Sequence, residues 1–255
     1  MSRLRGGRLR ASLAVIAALA LPVPAHALQS ADLAAVPFAV GEELVYRAHF
    51  GRIPAGRARM RVEAIELVRG RRAYHVVFTV DGGIPLFRVH DRYDSWIDVQ
   101  TLSSLRHIQR VSEGRYHRTT TYEIWPERSE YQKNDEPPQQ SVGRPLDDGS
   151  FIYAVRIAGV QPGEIRSDAR YFQPDHNPVV LTGLGMDTVT VGAGTFTTTV
   201  VHPTIKTGGM FAENTDARVW FSDDASRYPV QVRTKFAKFS VILALESVVR
   251  PDSTR

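Results

Sequence analysis

The sequence predicts a mainly β protein: a large curved antiparallel sheet, an open or incomplete barrel, with one short helix packed near its concave face. Three features predict it. Apolar and polar residues alternate with period two along most of the chain. About a dozen such segments recur at near-regular spacing between turn-forming residues, the pattern of sandwiches and barrels. Only the stretch 148–158 carries helical spacing.

The first 27 residues stand apart. Arg3, Arg5, Arg8 and Arg10 make a positive region, and Ala11 to Leu21 is apolar apart from Ser12. Ala25-His26-Ala27 ends in the small-x-small pattern that signal peptidase reads. A cleavable signal peptide, 1–27, is expected, with export by the general route to the periplasm. The apolar run of about 11 residues falls short of the roughly 20 that a spanning helix needs. There is no adjacent arginine pair in this region, which disfavours the twin-arginine route. The chain has no cysteine, so no lipid can be attached at the cleavage site, and a soluble protein without a membrane span is expected.

Removing that segment changes the charge balance. The whole chain has 32 Lys+Arg against 27 Asp+Glu; residues 28–255 have 28 against 27. A nucleic-acid partner needs a domain-scale basic face, and none is expected here. Arg69-Gly70-Arg71-Arg72 reads more simply as a solvated hairpin turn. Without disulfides or cysteine-based zinc, the fold must rest on its core. Residues 28–255 suit one curved-sheet domain, or two β half-domains, 38–133 and 147–250, joined by loop 134–146.

The strands follow in order. Leu44, Tyr46, Ala48 and Phe50 share one face; after the turn 51–56, Ala58, Met60, Val62 and Ala64 return on it, with Arg57, Arg59, Arg61 and Glu63 toward water. Tyr74, Val76, Phe78 and Val80 line the next strand, and Asp81-Gly82-Gly83 supplies turn chemistry. Further strands are expected at 87–99, 104–111, 115–125 and 128–133. Residues 133–149 are polar and rich in Pro and Gly, and read as a loop. The helix follows, capped by Asp147, Asp148 or Ser150 and stopped at Gly159. Strands return at 166–173, 178–191, 195–203, 215–222, 229–237 and 239–249. Residues 191–195 and 222–229 read as hairpin turns, and 207–211 as a mobile loop.

Four segments together resemble the DUF3108 family of bacterial exported proteins. They are the opening GEELVYRAHFGRIPAGRARMRVE (41–63), HDRYDSWID (90–98), LDDGSFIYAVR (146–156) and VWFSDDASRYPVQVRTKF (219–236). The resemblance covers about 38–249. It implies a periplasmic curved-sheet protein, loosely similar to open-barrel lipoprotein and lipid carriers. Two positions depart from the family pattern: Gly149-Ser150 at the helix start, and Ala237-Lys238-Phe239 in the closing turn.

The chemistry-bearing residues favour binding over catalysis. There is no cysteine and no Gly-x-Ser-x-Gly elbow, and the seven histidines after residue 27 are scattered. His90, Asp94 and Asp98 share a strand face but lie about 13 Å apart in succession, too far for one metal ion; a site would need His49, His75 or His202 to converge. Asp147-Asp148 and Asp223-Asp224 read as a cap and a turn rather than as glycosidase carboxylates. Arg156 could lock the helix to an acid of the sheet or hold a ligand headgroup. The expected ligand-binding set is Tyr46, Phe50, Tyr93, Trp96, Tyr153, Arg156 and Trp220, lining an apolar cavity for a lipid-like or other hydrophobic ligand; a filled core is the plainer alternative. No catalytic residue, metal or cofactor is expected. The runner-up is a structural or assembly factor acting on an envelope protein partner.

Overall fold

The computed structural model describes residues 35–84, 87–206, 215–236 and 239–251. The expected signal peptide, the loop 207–211 and the turn at 237–238 lie outside these residues. In chain order the strands are β1 (Glu43–Phe50), β2 (Ile53–Val68), β3 (Arg71–Ile84), β4 (Phe87–Asp98), β5 (Ser104–Glu113), β6 (Tyr116–Trp125), β7 (Glu130–Lys133) and β8 (Gln139–Gln140). The helix α1 (Asp148–Ala158) follows, then β9 (Ile165–Asp168), β10 (Val179–Val191), β11 (Gly194–Thr204), β12 (Asp216–Ser222), β13 (Pro229–Phe236) and β14 (Phe239–Val249).

All fourteen strands belong to one antiparallel sheet, ordered β8-β7-β6-β5-β4-β3-β2-β1-β14-β13-β12-β11-β10-β9. The sheet is not closed: β8 and β9 are its edges. The first and last strands meet in its middle, with Phe50 opposite Val241 and Leu44 opposite Val248. The segment between β8 and α1 reaches across. On one side Ser104 N donates to Pro145 O at 2.8 Å; on the other, Leu146 N donates to Arg170 O at 2.6 Å and Phe172 N to Leu146 O at 2.9 Å.

Two expected boundaries are corrected. The expected strand 166–173 ends at Asp168, because residues 170–172 pair with Leu146 instead of β10. The expected loop 133–149 contains the two-residue strand β8. A third correction is a bulge in β2 between Val62 and Ala64, which turns Ala64 toward His75 and places Ile65 opposite Tyr74. An extra residue reverses the alternation beyond it, so Ala64 does not share the face of Ala58, Met60 and Val62.

The helix begins where its cap dictates. Asp147 Oδ1 accepts from Gly149 N and Ser150 N, both at 2.9 Å, and Ser150 Oγ accepts from Asp147 N at 2.7 Å. This reciprocal pair satisfies amide groups that a helix start leaves open. Gly149, a poor helix former, is required by packing: a Cβ there would lie 2.4 Å from Ser95 Oγ on β4. Gly159 ends the helix at φ +68°, its N–H donating to Val155 O.

One apolar cluster joins α1 to both ends of the sheet. Phe151, Val155 and Val160 pack with Ile124 and Tyr131 from one end and with Leu181, Val201, Val219 and Phe221 from the other. A second cluster, around Leu44, Tyr46, Val230, Leu243 and Leu245, fills the junction of β1 and β14. The face of the sheet that carries α1 is called the inner face below.

Candidate functional site: the inner face and the seat of the helix

The helix is seated on a buried polar group. Ser95 Oγ donates to Asp147 Oδ1 at 2.7 Å, and His107 lies beside both, with Nδ1 3.1 Å from Ser95 Oγ and 3.8 Å from Asp147 Oδ1. Ser95, His107 and Asp147 are all buried. A serine, a histidine and an acid thus stand within reach, but not in the order that nucleophilic catalysis needs. His107 Nδ1 is 2.9 Å from the carbonyl oxygen of Asp94, which can only accept, so this nitrogen carries the proton. It has no lone pair to offer Ser95, and the serine gives its own proton to Asp147. The sequence reading passed over this trio because its members come from β4, β5 and the helix cap.

Burial alone would push the His107 imidazole down; the carboxylates of Asp147 and Asp148 outweigh it and raise the pKa. For Asp148 burial works upward, but His107 and the Tyr171 hydroxyl, donating at 2.8 Å, hold the carboxyl below its ordinary value. The imidazole, set between the two acids, therefore fastens the start of α1 to the sheet.

Arg156 fastens the other end. Its Nη1 and Nη2 donate to the two carboxylate oxygens of Glu42 at 2.7 and 3.1 Å, and Nε and Nη2 donate to Ser226 O at 3.2 and 3.1 Å. Pro37 O accepts a further bond, and the rings of Phe38, Tyr153 and Tyr228 surround the guanidinium. With 0% exposure and these donors taken, Arg156 is a lock rather than a headgroup ligand. Tyr153 is likewise buried, edge-on to Phe38 at 4.7 Å.

The other expected ligand contacts divide between the two faces. Tyr46 is buried on the inner face, its hydroxyl donating to Pro229 O at 2.9 Å. Phe50 and Tyr93 lie on the inner face and are half-buried. Trp96 does not join them. It is three residues from Tyr93 in an uninterrupted stretch of β4, so it points the opposite way, stacked on His75 at 4.3 Å and donating to Glu66 at 2.7 Å. Trp220 alternates with the core residues Val219 and Phe221 and donates instead to Asp187 at 2.9 Å. The seven residues therefore do not converge.

The inner face does hold a continuous apolar strip. Met60 opposes Phe78, Ala58 opposes Val80, and Phe78 opposes Tyr93 with ring centroids 6.1 Å apart. Met60, Phe78, Val80, Tyr93 and Phe50 are all half-buried. Gln109 sits opposite Tyr93 at the polar end, and Asp91 lies two residues before it. Burial pushes the Tyr93 phenol up, with Asp91 adding to it. By contrast, the enclosed space at the C-terminal end of α1, beside Val155, Val160 and Phe221, holds about 30 Å³, roughly one water molecule.

The opposite face is a charge lattice. Asp94 is buried there, accepting from His75 at 2.8 Å, from Arg92 at 2.7 Å and from Arg110 at 2.5 Å. These partners overcome burial and hold its carboxyl well below the usual range. Asp98 is 2.9 Å from Arg71, and His90 is 3.1 Å from Asp81, so His90, Asp94 and Asp98 each serve a different partner. Among the described residues no group of three His, Asp or Glu could hold a metal ion.

The fold and its filled, helix-capped end define an open, barrel-like β protein. The chain belongs to the DUF3108 family, proteins of unknown function, matched over residues 45–241. Among solved structures it resembles a beta-barrel-like protein of the DUF1849 domain from Brucella abortus, at 10% identity and a TM-score of 0.54, covering 86% of this chain and 100% of that one. It is also similar to a "putative lipoprotein" from Parabacteroides distasonis (10% identity, TM-score 0.39, covering 84% and 98%). A "putative exported protein" with a YmcC-like fold from Bacteroides fragilis matches at 11% identity and a TM-score of 0.35, covering 84% and 98%. At these identities the first likeness concerns the fold alone. None of the curated proteins matches the chain. No helix among the described residues is long and apolar enough to cross a membrane.

Proposed function

We propose that this is a non-enzymatic binding or carrier protein of the bacterial periplasm, holding an apolar or amphipathic cell-envelope molecule on the inner face of its sheet. The observation that carries the reading is the strip Met60, Phe78, Val80 and Tyr93, half-buried and continuous by strand register, with Phe50 half-buried on the same face. An acyl chain laid along it would cover these side chains, with its polar end at Tyr93, Asp91 and Gln109. Apolar lining with a few placed polar groups is the usual chemistry of a small-molecule site. Further support comes from the amino-terminal export signal. Ser95 and His107 favour binding without chemistry, since both are sealed beneath the helix.

Titration with a fluorescent fatty-acid analogue tests the reading. Saturable binding is expected, weakened about tenfold by Phe78→Ser, the worth of one buried aromatic contact. The absence of saturable uptake by the folded protein would sink it.

One observation favours a second reading, an envelope assembly factor working through protein contacts. β9 covers β10 only over Val179–Thr182. Along 184–191 β10 has β11 on one side and no strand on the other among the described residues, and Leu184 and Met186 are exposed there. Such an edge can accept an added strand.

A further inference from the structure

The hairpin turns at one end of the sheet form a single rim. The paired ends of β13 and β14, β1 and β2, β3 and β4, and β5 and β6 lie there. Gly51 N donates to Ser240 O at 2.7 Å, Gly56 opposes Gly82, and Gly114 N donates to Arg88 O at 2.7 Å. The Phe87 ring lies against Gly114, 3.1 Å from where a Cβ would stand.

Two properties coincide on this rim. Its tips expose large apolar side chains: Ile53 at 56%, Phe87 at 46% and Tyr116 at 52%. Between them stand the exposed cations Arg52, Arg88, Arg115, Arg118 and Lys235. Among the described residues, these five have no ion-pair partner. Several arginines on the side of the sheet differ: Arg47 and Arg57 pair with Glu246, Arg59 with Glu43, Arg61 with Glu63, and Arg92 and Arg110 with Asp94. Uncompensated positive charge is thus gathered where apolar side chains protrude. The one carboxylate of the β5–β6 tip, Glu113, is pushed up by burial and by Asp91.

We infer that this rim docks on an anionic lipid surface, with Ile53, Phe87 and Tyr116 entering the headgroup layer and the five cations meeting lipid phosphates. A bilayer interface rewards this combination, since aromatic side chains settle at headgroup depth and basic residues are drawn to anionic lipid. A soluble anion would engage the cations but leave the apolar tips in water. The inference stands apart from the carrier reading, because it concerns the surface the protein touches and not what it holds.

The test is co-sedimentation of the protein, expressed from the full-length chain and purified from the soluble envelope extract, with phosphatidylglycerol-phosphatidylcholine vesicles. Binding is expected at low salt, with loss at about 0.5 M salt and little binding to pure phosphatidylcholine. The pair Arg88→Ser and Arg115→Ser lowers partitioning roughly twenty-fivefold, at about fivefold per cation. Phe87→Ser with Tyr116→Ser lowers it as well, whereas the side-wall pair Arg59→Ser and Arg61→Ser leaves it unchanged. Circular dichroism confirms that each variant is folded. No sedimentation with anionic vesicles, equal binding to neutral ones, or an equal loss from the side-wall pair would overturn the inference.

Discussion

Arg156 on α1 and Glu42, one residue ahead of β1, form a two-pronged ion pair 114 positions apart in sequence and sealed from water. The pair ties the helix to the strand that joins the two halves of the sheet. Glu42→Gln leaves a buried guanidinium uncompensated and should destabilise the protein by about 3–5 kcal/mol. Urea unfolding measures this. A loss below about 1 kcal/mol, the range of an exposed pair, would show that the lock carries little.

The histidine seat gives a pH signature. The His107 pKa is raised in the folded state, so its contribution is full below the ordinary histidine value of about 6.5 and is lost as pH rises through the folded value. Asp148 is shifted down, so its contribution is full above the ordinary carboxylate value and is lost as pH falls through the folded one. The stability gap between the parent protein and His107→Asn should therefore shrink as pH rises from about 6 to about 9. A gap that stays constant over that range would mean that His107 is neutral in its place between Asp147, Asp148 and Tyr122.

Two glycines should respond very differently to a methyl group. Gly56 has φ +119°, and a Cβ on it would meet the carbonyl oxygen of Asp81 at 2.2 Å; Gly70 has φ +79° with nothing within 4 Å. Gly70→Ala should cost about 1 kcal/mol of backbone strain. Gly56→Ala adds a clash with a hydrogen-bonded strand and should cost at least about 3 kcal/mol. Equal unfolding midpoints for the two variants would contradict the close crossing of β2 and β3.

The two faces should also separate in binding. Trp96→Phe and Trp220→Phe alter residues on the opposite face and should leave acyl-probe affinity within about twofold, whereas Met60→Ser, which exposes a gap in the strip, should weaken it about tenfold. A tryptophan variant that abolished uptake without unfolding would move the site to the other face.

These faces show how far the sequence could be read. Alternation places Tyr74, Val76 and Phe78 together, and they do oppose Ile97, Ser95 and Tyr93. The same arithmetic separates Trp96 from Tyr93 and Trp220 from Val219; expecting all the aromatics on one face set the period aside. Other features have no local signal. The bulge after Val62 shows no Gly or Pro, and the trio Ser95, His107 and Asp147 is assembled by tertiary packing alone. Gly149-Ser150 departs from the family pattern at the helix start, and its reason, the Ser95 hydroxyl pressed against the helix, lies on another strand. Asp147 was legible as a cap because capping is written within four residues.

The most direct test of the carrier reading is native mass spectrometry of protein purified gently from the envelope extract. The expected result is a population carrying an additional lipid-like mass, released by organic extraction and diminished in Phe78→Ser. A clean ligand-free mass, together with failure to take up acyl probes, would contradict it.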